Sequence, residues 1–148
     1  MDTATATAVI ATGIAALVGF ITLRQWLTDR ARLKHELFDR RYAIYETIAA
    51  FPADIMVAGR VQPGADIQFL RDTKLAYFAF GCDDAVKSIV DQLYKLAVDL
   101  HAAQAEFPGL SGGARTANLD RQTQIKVKLS QLAQSLPDTF TKYLKLGH

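Results

Sequence analysis

The chain has 148 residues, with 17 Lys plus Arg against 15 Asp plus Glu, and half of its residues are apolar. One domain's worth of length excludes a large two-domain enzyme, and a net charge of +2 excludes a strongly basic nucleic-acid binder. The single thiol, Cys82, allows no intrachain disulfide, which removes the disulfide-stapled secreted class and suits a reducing compartment.

From Thr3 to Leu23 no residue carries a charge, and these 21 positions span about 31 Å as an α-helix, close to the roughly 30 Å of a bilayer core. We therefore expect residues 1–23 to form a transmembrane helix. A cleaved signal peptide is the rival, but Met1 and Asp2 provide no positive leader and no small-residue cleavage site precedes Arg24. Arg24, Arg30, Arg32, Lys34, Arg40 and Arg41 follow the segment while Asp2 alone precedes it. That asymmetry predicts a single-pass protein of a bacterial inner membrane, its N-terminus outside and its body, residues 24–148, cytoplasmic. Trp26 reads either as an interfacial anchor or as a helix-packing residue. Ala11, Ala15 and Gly19 recur every four residues, an edge along which two spans could approach.

No Gly or Pro falls between Gly19 and Pro52, so the helix is expected to continue past the span. Leu33, Leu37, Ile44, Ile48 and Phe51 lie at three-and-four spacing, beside Phe38, Tyr42, Tyr45 and Ala49. Glu36 with Arg40 and Arg41 with Tyr45 are the one-turn pairs expected to form an ion pair and a cation–π contact. Pro52 predicts a break or kink, and residues 59–65, GRVQPGA, a loop. Asp66 is expected to cap a helix running through Phe80, ended by Gly81. Asp83 and Asp84 are placed to cap the next helix, whose face is Val86, Ile89, Val90, Leu93, Ala97 and Leu100. A Gly-rich stretch over residues 108–116 reads as a loop, after which Asn118 or Asp120 opens a last helix carrying Ile125, Leu129, Leu132 and Leu136. Pro137 either kinks that helix or begins a short terminal one. The fold class expected is all-α: the transmembrane helix feeding an antiparallel bundle of about four helices.

Residues 24–51, 52–109 and 110–148 carry net charges of +2, −3 and +4. The basic segments could face anionic lipid, or the acidic middle could neutralise the basic ends within the bundle or a dimer; the scatter of Lys126, Lys128, Lys142 and Lys145 favours the second. Residues 109–116 have phosphate-loop spacing, but Ala114 and Arg115 replace the required Gly and Lys and a helical run precedes them, so an interhelical loop is the simpler reading. His35 and Asp39 make half a metal site, and two ligands are too few. Cys82 precedes a helix start, yet Asp83 and Asp84 oppose thiolate formation, and a small buried thiol fits better. No nucleophile and base fall in catalytic spacing. We therefore expect no enzyme, no metal and no cofactor. Tyr77, Phe78 and Phe80 form an aromatic patch that either packs on the first helix or lines a ligand pocket.

The stretch Leu37-Phe38-Asp39-Arg40-Arg41-Tyr42-Ala43-Ile44-Tyr45-Glu46, with Phe78-Ala79-Phe80-Gly81 some forty residues later, resembles a group of short uncharacterised bacterial single-pass membrane proteins. Their pattern is an LFxRRYxxYE-like helix after the span and a later FxFG-like segment. The resemblance implies an inner-membrane setting and carries no activity, cofactor or catalytic residue. The function expected is a membrane-anchored, non-catalytic interaction or scaffold module. Its partners are the lipid bilayer and either a second copy or a cytoplasmic protein, with Arg40, Arg41, Tyr45, Tyr77, Phe78 and Phe80 as contact residues. A membrane-tethered sensor bundle and a small prophage-type membrane effector are the alternatives.

Overall fold

The computed structural model describes residues 3–145, leaving aside the side chains of residues 3–12, 14 and 31. Five α-helices follow one another: α1 (Thr3–Ala58), α2 (Ala65–Thr73), the one-turn α3 (Ala76–Ala79), α4 (Asp84–Glu106) and α5 (Gly112–Phe140). A 3-10 turn, Phe107–Gly109, links the last two. The chain divides into two compact units, Met1–Leu37 and Phe38–His148. Within the described residues no strand occurs, in keeping with the all-α expectation.

The second unit is a bundle of four joined helices: the part of α1 from Phe38 onward, α2, α4 and α5. Its core is the set of faces anticipated by three-and-four spacing. Val86, Leu93, Ala97 and Leu100 of α4 have no exposed surface, and Ile89 and Val90 have 8% each. Ile48, Phe51 and Ile55 of α1 and Ile125, Leu129 and Leu136 of α5 belong to the same buried cluster. Each such side chain contributes about 1.5–3 kcal/mol of burial, which is why the faces, not the surface ion pairs, hold the bundle. Phe51 and Phe69 stack at 4.0 Å between centroids and fasten α2. Gln104 of α4 ties down the preceding loop, accepting from the Val61 amide and donating to the Gly59 carbonyl, each at 3.2 Å.

Helix ends follow local rules in two places and depart from them in three. Gly81, at φ 71°, closes α3 in the left-handed conformation: its amide bonds the Phe78 carbonyl and the Cys82 amide the Tyr77 carbonyl, the paired closure that favours glycine. Asp83 then caps α4, accepting from the Ala85 amide at 2.7 Å. Pro52 does not break α1, which runs through it to Ala58. The hydrogen bond a proline forfeits is offset here because Pro52 is itself fully buried, between Ile48 and Ile55 of the core. The helix expected from Asp66 through Phe80 is two helices, α2 and α3, with Gly64 rather than Asp66 at the start of the first. At the other end α5 begins at Gly112, not at Asn118 or Asp120, and passes through Pro137.

The membrane reading is overturned. Among the described residues no helix is long and apolar enough to cross a membrane. Crossing needs about 20 successive predominantly apolar residues, about 30 Å of helix, and no described helix meets the requirement of length and apolar character together. The transmembrane helix, the single-pass inner-membrane topology with its outside N-terminus and cytoplasmic body, and the bilayer as partner are corrected together, since each depended on that span. The membrane-anchored scaffold, the tethered sensor and the membrane effector fall with them.

Candidate functional site

In the bundle, the end of α3, the start of α4 and the residues after α5 meet. Phe80 is wholly buried, edge-on to Phe140 at 4.9 Å and to Tyr143 at 5.2 Å, and Tyr45 of α1 reaches the same Phe140 at 5.3 Å. Arg41 lies over Tyr143 at 5.7 Å and donates from Nε to the Ala79 carbonyl at 2.8 Å. That carbonyl belongs to the last turn of α3, where no later amide is in register to take it, so the guanidinium completes the helix end. The expected pairing of Arg41 with Tyr45 is therefore replaced by one with a ring far along the chain. Glu36 likewise pairs with Arg32 at 2.9 Å rather than with Arg40.

Asp83 gathers the polar groups at this junction. Besides the Ala85 amide, its carboxylate accepts from Lys142 Nζ at 2.5 Å and from the Tyr143 hydroxyl. These donors, Lys142 first, hold its pKa from 3.8 down to about 2. Hydrogen bonding to Asp83 raises both Lys142 and Tyr143 above their ordinary values. The sign of the linkage is fixed by those directions. The folded chain keeps Asp83 ionised while the unfolded chain takes up its proton, so this stabilisation is present above about pH 4 and disappears as pH falls toward 2. Because Lys142 and Tyr143 are raised, stability also declines as pH rises through and above about 10. Thermal melts of the parent and of Asp83→Asn are expected to differ by several degrees at neutral pH and to converge toward pH 2. A difference independent of pH would show that the charge is not what Asp83 contributes.

The six expected contact residues thus separate. Arg41, Tyr45 and Phe80 are brought together and engaged inside the bundle, Arg40 is exposed, Phe78 is 70% exposed, and Tyr77 is half-buried, edge-on to Phe78 at 5.6 Å. Tyr77 lines a small cavity of about 180 Å³ with Leu70, Thr73 and Val90, and neither Phe78 nor Phe80 does. The larger cleft of the bundle, about 470 Å³, lies along α4 and α5, with Gln92, Lys95, Asp99, Lys128 and Gln131 around Leu96 and Leu132. Residues 109–116 are divided between the 3-10 turn, a two-residue connection and the first turn of α5, and Arg115 rests over Phe107 at 4.5 Å. Cys82 is exposed, not the buried thiol expected. Among the described residues no three His, Cys, Asp or Glu side chains converge as a metal site would require.

The unit Met1–Leu37 carries the other candidate. Leu23, Trp26, Leu27, Leu33 and Leu37 keep helical spacing, and 44–64% of each is exposed. Gln25, Thr28, Arg32 and His35 occupy the opposite side by the same period, with Asp29 and Glu36 at one edge of the apolar face. An open cleft of about 630 Å³ lined by Leu27, Arg30, Leu33 and Lys34 marks the apolar face, and Arg30 folds over Trp26 at 4.3 Å. The small-residue positions upstream are exposed at Ala15 and Gly19, while the Ala11 side chain lies outside the described residues. No known family, curated protein or solved structure matches the chain. The resemblance to single-pass membrane proteins is accordingly withdrawn: no family match supports it, and among the described residues no helix supplies the span on which its layout rested.

Proposed function

We propose that this chain is a non-catalytic helical association module, in which the apolar face over Leu23–Leu37 is the surface that pairs with another protein helix. One observation carries the reading. Four turns of α1 present a stripe more than 100° wide of Leu and Trp side chains, each roughly half exposed, opposite a polar face. Monomeric folds rarely leave such a stripe open to water, because covering each large apolar side chain is worth about 1.5–3 kcal/mol. The polar groups of the bundle support the non-catalytic part. Asp83, Lys142 and Tyr143 are moved from their ordinary pKa values by bonding one another across a helix junction, a structural use of charge.

A photoreactive side chain in place of Leu33 in the full chain, compared with one in place of Arg32, tests the proposal in cells. Adducts to protein are expected from position 33 and not from position 32. Equal labelling from both positions, no protein adduct, or adducts to lipid alone would overturn it.

A further inference from the structure

Resting on the association reading above, we infer that the occupant of this face is a second copy of the chain, paired in parallel along Leu23–Leu37. The heptad frame follows from the spacing. Leu23, Arg30 and Leu37 take the first core position, and Trp26 and Leu33 take the second, three and four residues apart in turn. Ala16 and Gly19 hold the same two positions one heptad earlier.

Charge decides both the partner and the direction. In this frame Asp29 sits at the flanking position before the core and Lys34 at the flanking position after it, five residues on. A parallel pair of identical helices places Asp29 of each copy beside Lys34 of the other, so two-fold symmetry forms the ion pair twice. An antiparallel pair sets like flanking positions against each other. It would bring the acidic Asp29 and Glu36 together and leave Lys34 facing Leu27, Phe20 or another Lys34. Both Asp29 and Lys34 are exposed, and the ion pair recorded nearby, Arg32 with Glu36, uses neither. Arg30 at a core position argues for two strands, since a guanidinium can leave a two-stranded seam at its edge. Its place over the Trp26 ring at 4.3 Å shows a side chain already turned along the helix.

The experiment uses the full chain throughout. Sedimentation equilibrium is expected to show a reversible monomer–dimer system. Asp29→Lys should weaken the dimer about tenfold by converting two attractions into two repulsions, and the double change Asp29→Lys with Lys34→Asp should restore it. In a Cys82→Ser background, Leu33→Cys should form an interchain disulfide under mild oxidation and Arg32→Cys should not. Circular dichroism of each variant checks that the exposed substitutions leave the helices intact. A dimer without the Leu33→Cys crosslink, or without rescue by the charge swap, overturns the parallel arrangement. A chain that stays monomeric while the probe at position 33 captures a different protein overturns the second copy and leaves the association module standing. A monomer that captures nothing overturns both.

Discussion

Phe80→Ala is expected to destabilise the bundle by about 3–5 kcal/mol, read from urea denaturation, whereas Phe78→Ala, two residues away, should change stability by no more than about 0.5 kcal/mol. The contrast follows from burial. Phe80 has no exposed surface and shares its site with Phe140 and Tyr143, so its removal leaves a cavity walled by two other rings. Phe78 is 70% exposed and already in water. A domain is stable by only about 5–15 kcal/mol in all, so Phe80→Ala should consume a large share of the total and lower the midpoint at little change in slope. Equal effects of the two substitutions would mean that the ring cluster around Phe140 is not the packed centre described above.

The second large effect is expected at Asn118. Its side chain is buried on α5, donates from Nδ2 to the Ala103 carbonyl at 3.0 Å and accepts from Gln122 at 2.7 Å. Ala103 lies in the last turn of α4 and is itself fully buried, so its carbonyl is closed to water. Asn118→Ala therefore removes a buried hydrogen bond between α5 and the end of α4 and breaks its link to Gln122, at a cost of about 1–2 kcal/mol. Gln122→Ala removes the outer member of the network and should cost less. If the two variants melted together, the bond to Ala103 would not be what fastens α5 to the end of α4.

Asn118 also shows where sequence reading stops. Its residue type predicts a helix cap, because an Asn side chain satisfies free backbone groups at helix ends. It does satisfy one, but at the end of a different helix, fifteen residues earlier in the chain. Arg41 is a parallel case: its nearest aromatic ring by helical spacing is Tyr45, yet it lies over Tyr143 and caps α3, because packing brings those groups closer than the local turn does. Gln104, which fastens the loop after α1, had no sequence signal at all, since its two partners are backbone groups more than forty residues away. Pro52 and Pro137 look like helix breakers by their chemistry, and at both sites the core residues on either side keep the helix continuous. The uncharged run near the N-terminus suggested a span by lacking charges, but crossing a bilayer depends on length and apolar character together, and the described helix does not meet both.

By itself, the sequence determined what is local and periodic. The cap at Asp83, the closure at Gly81 and the buried faces of α4 and α5 are written in residue types a few positions apart, so they could be read before any tertiary contact was known. Only the tertiary structure decided which member of the Tyr77–Phe80 patch is core, which carbonyls Arg41 and Asn118 complete, and that Asp83 bonds the end of the chain as well as the start of α4. It also decided that the apolar face of Ile48, Phe51 and Ile55 is covered while the equally periodic Leu23, Trp26, Leu27, Leu33 and Leu37 remain exposed. Periodicity shows that a helix has an apolar face. What covers that face is settled by chain segments distant in sequence or by a separate molecule, which the apolar period alone does not name.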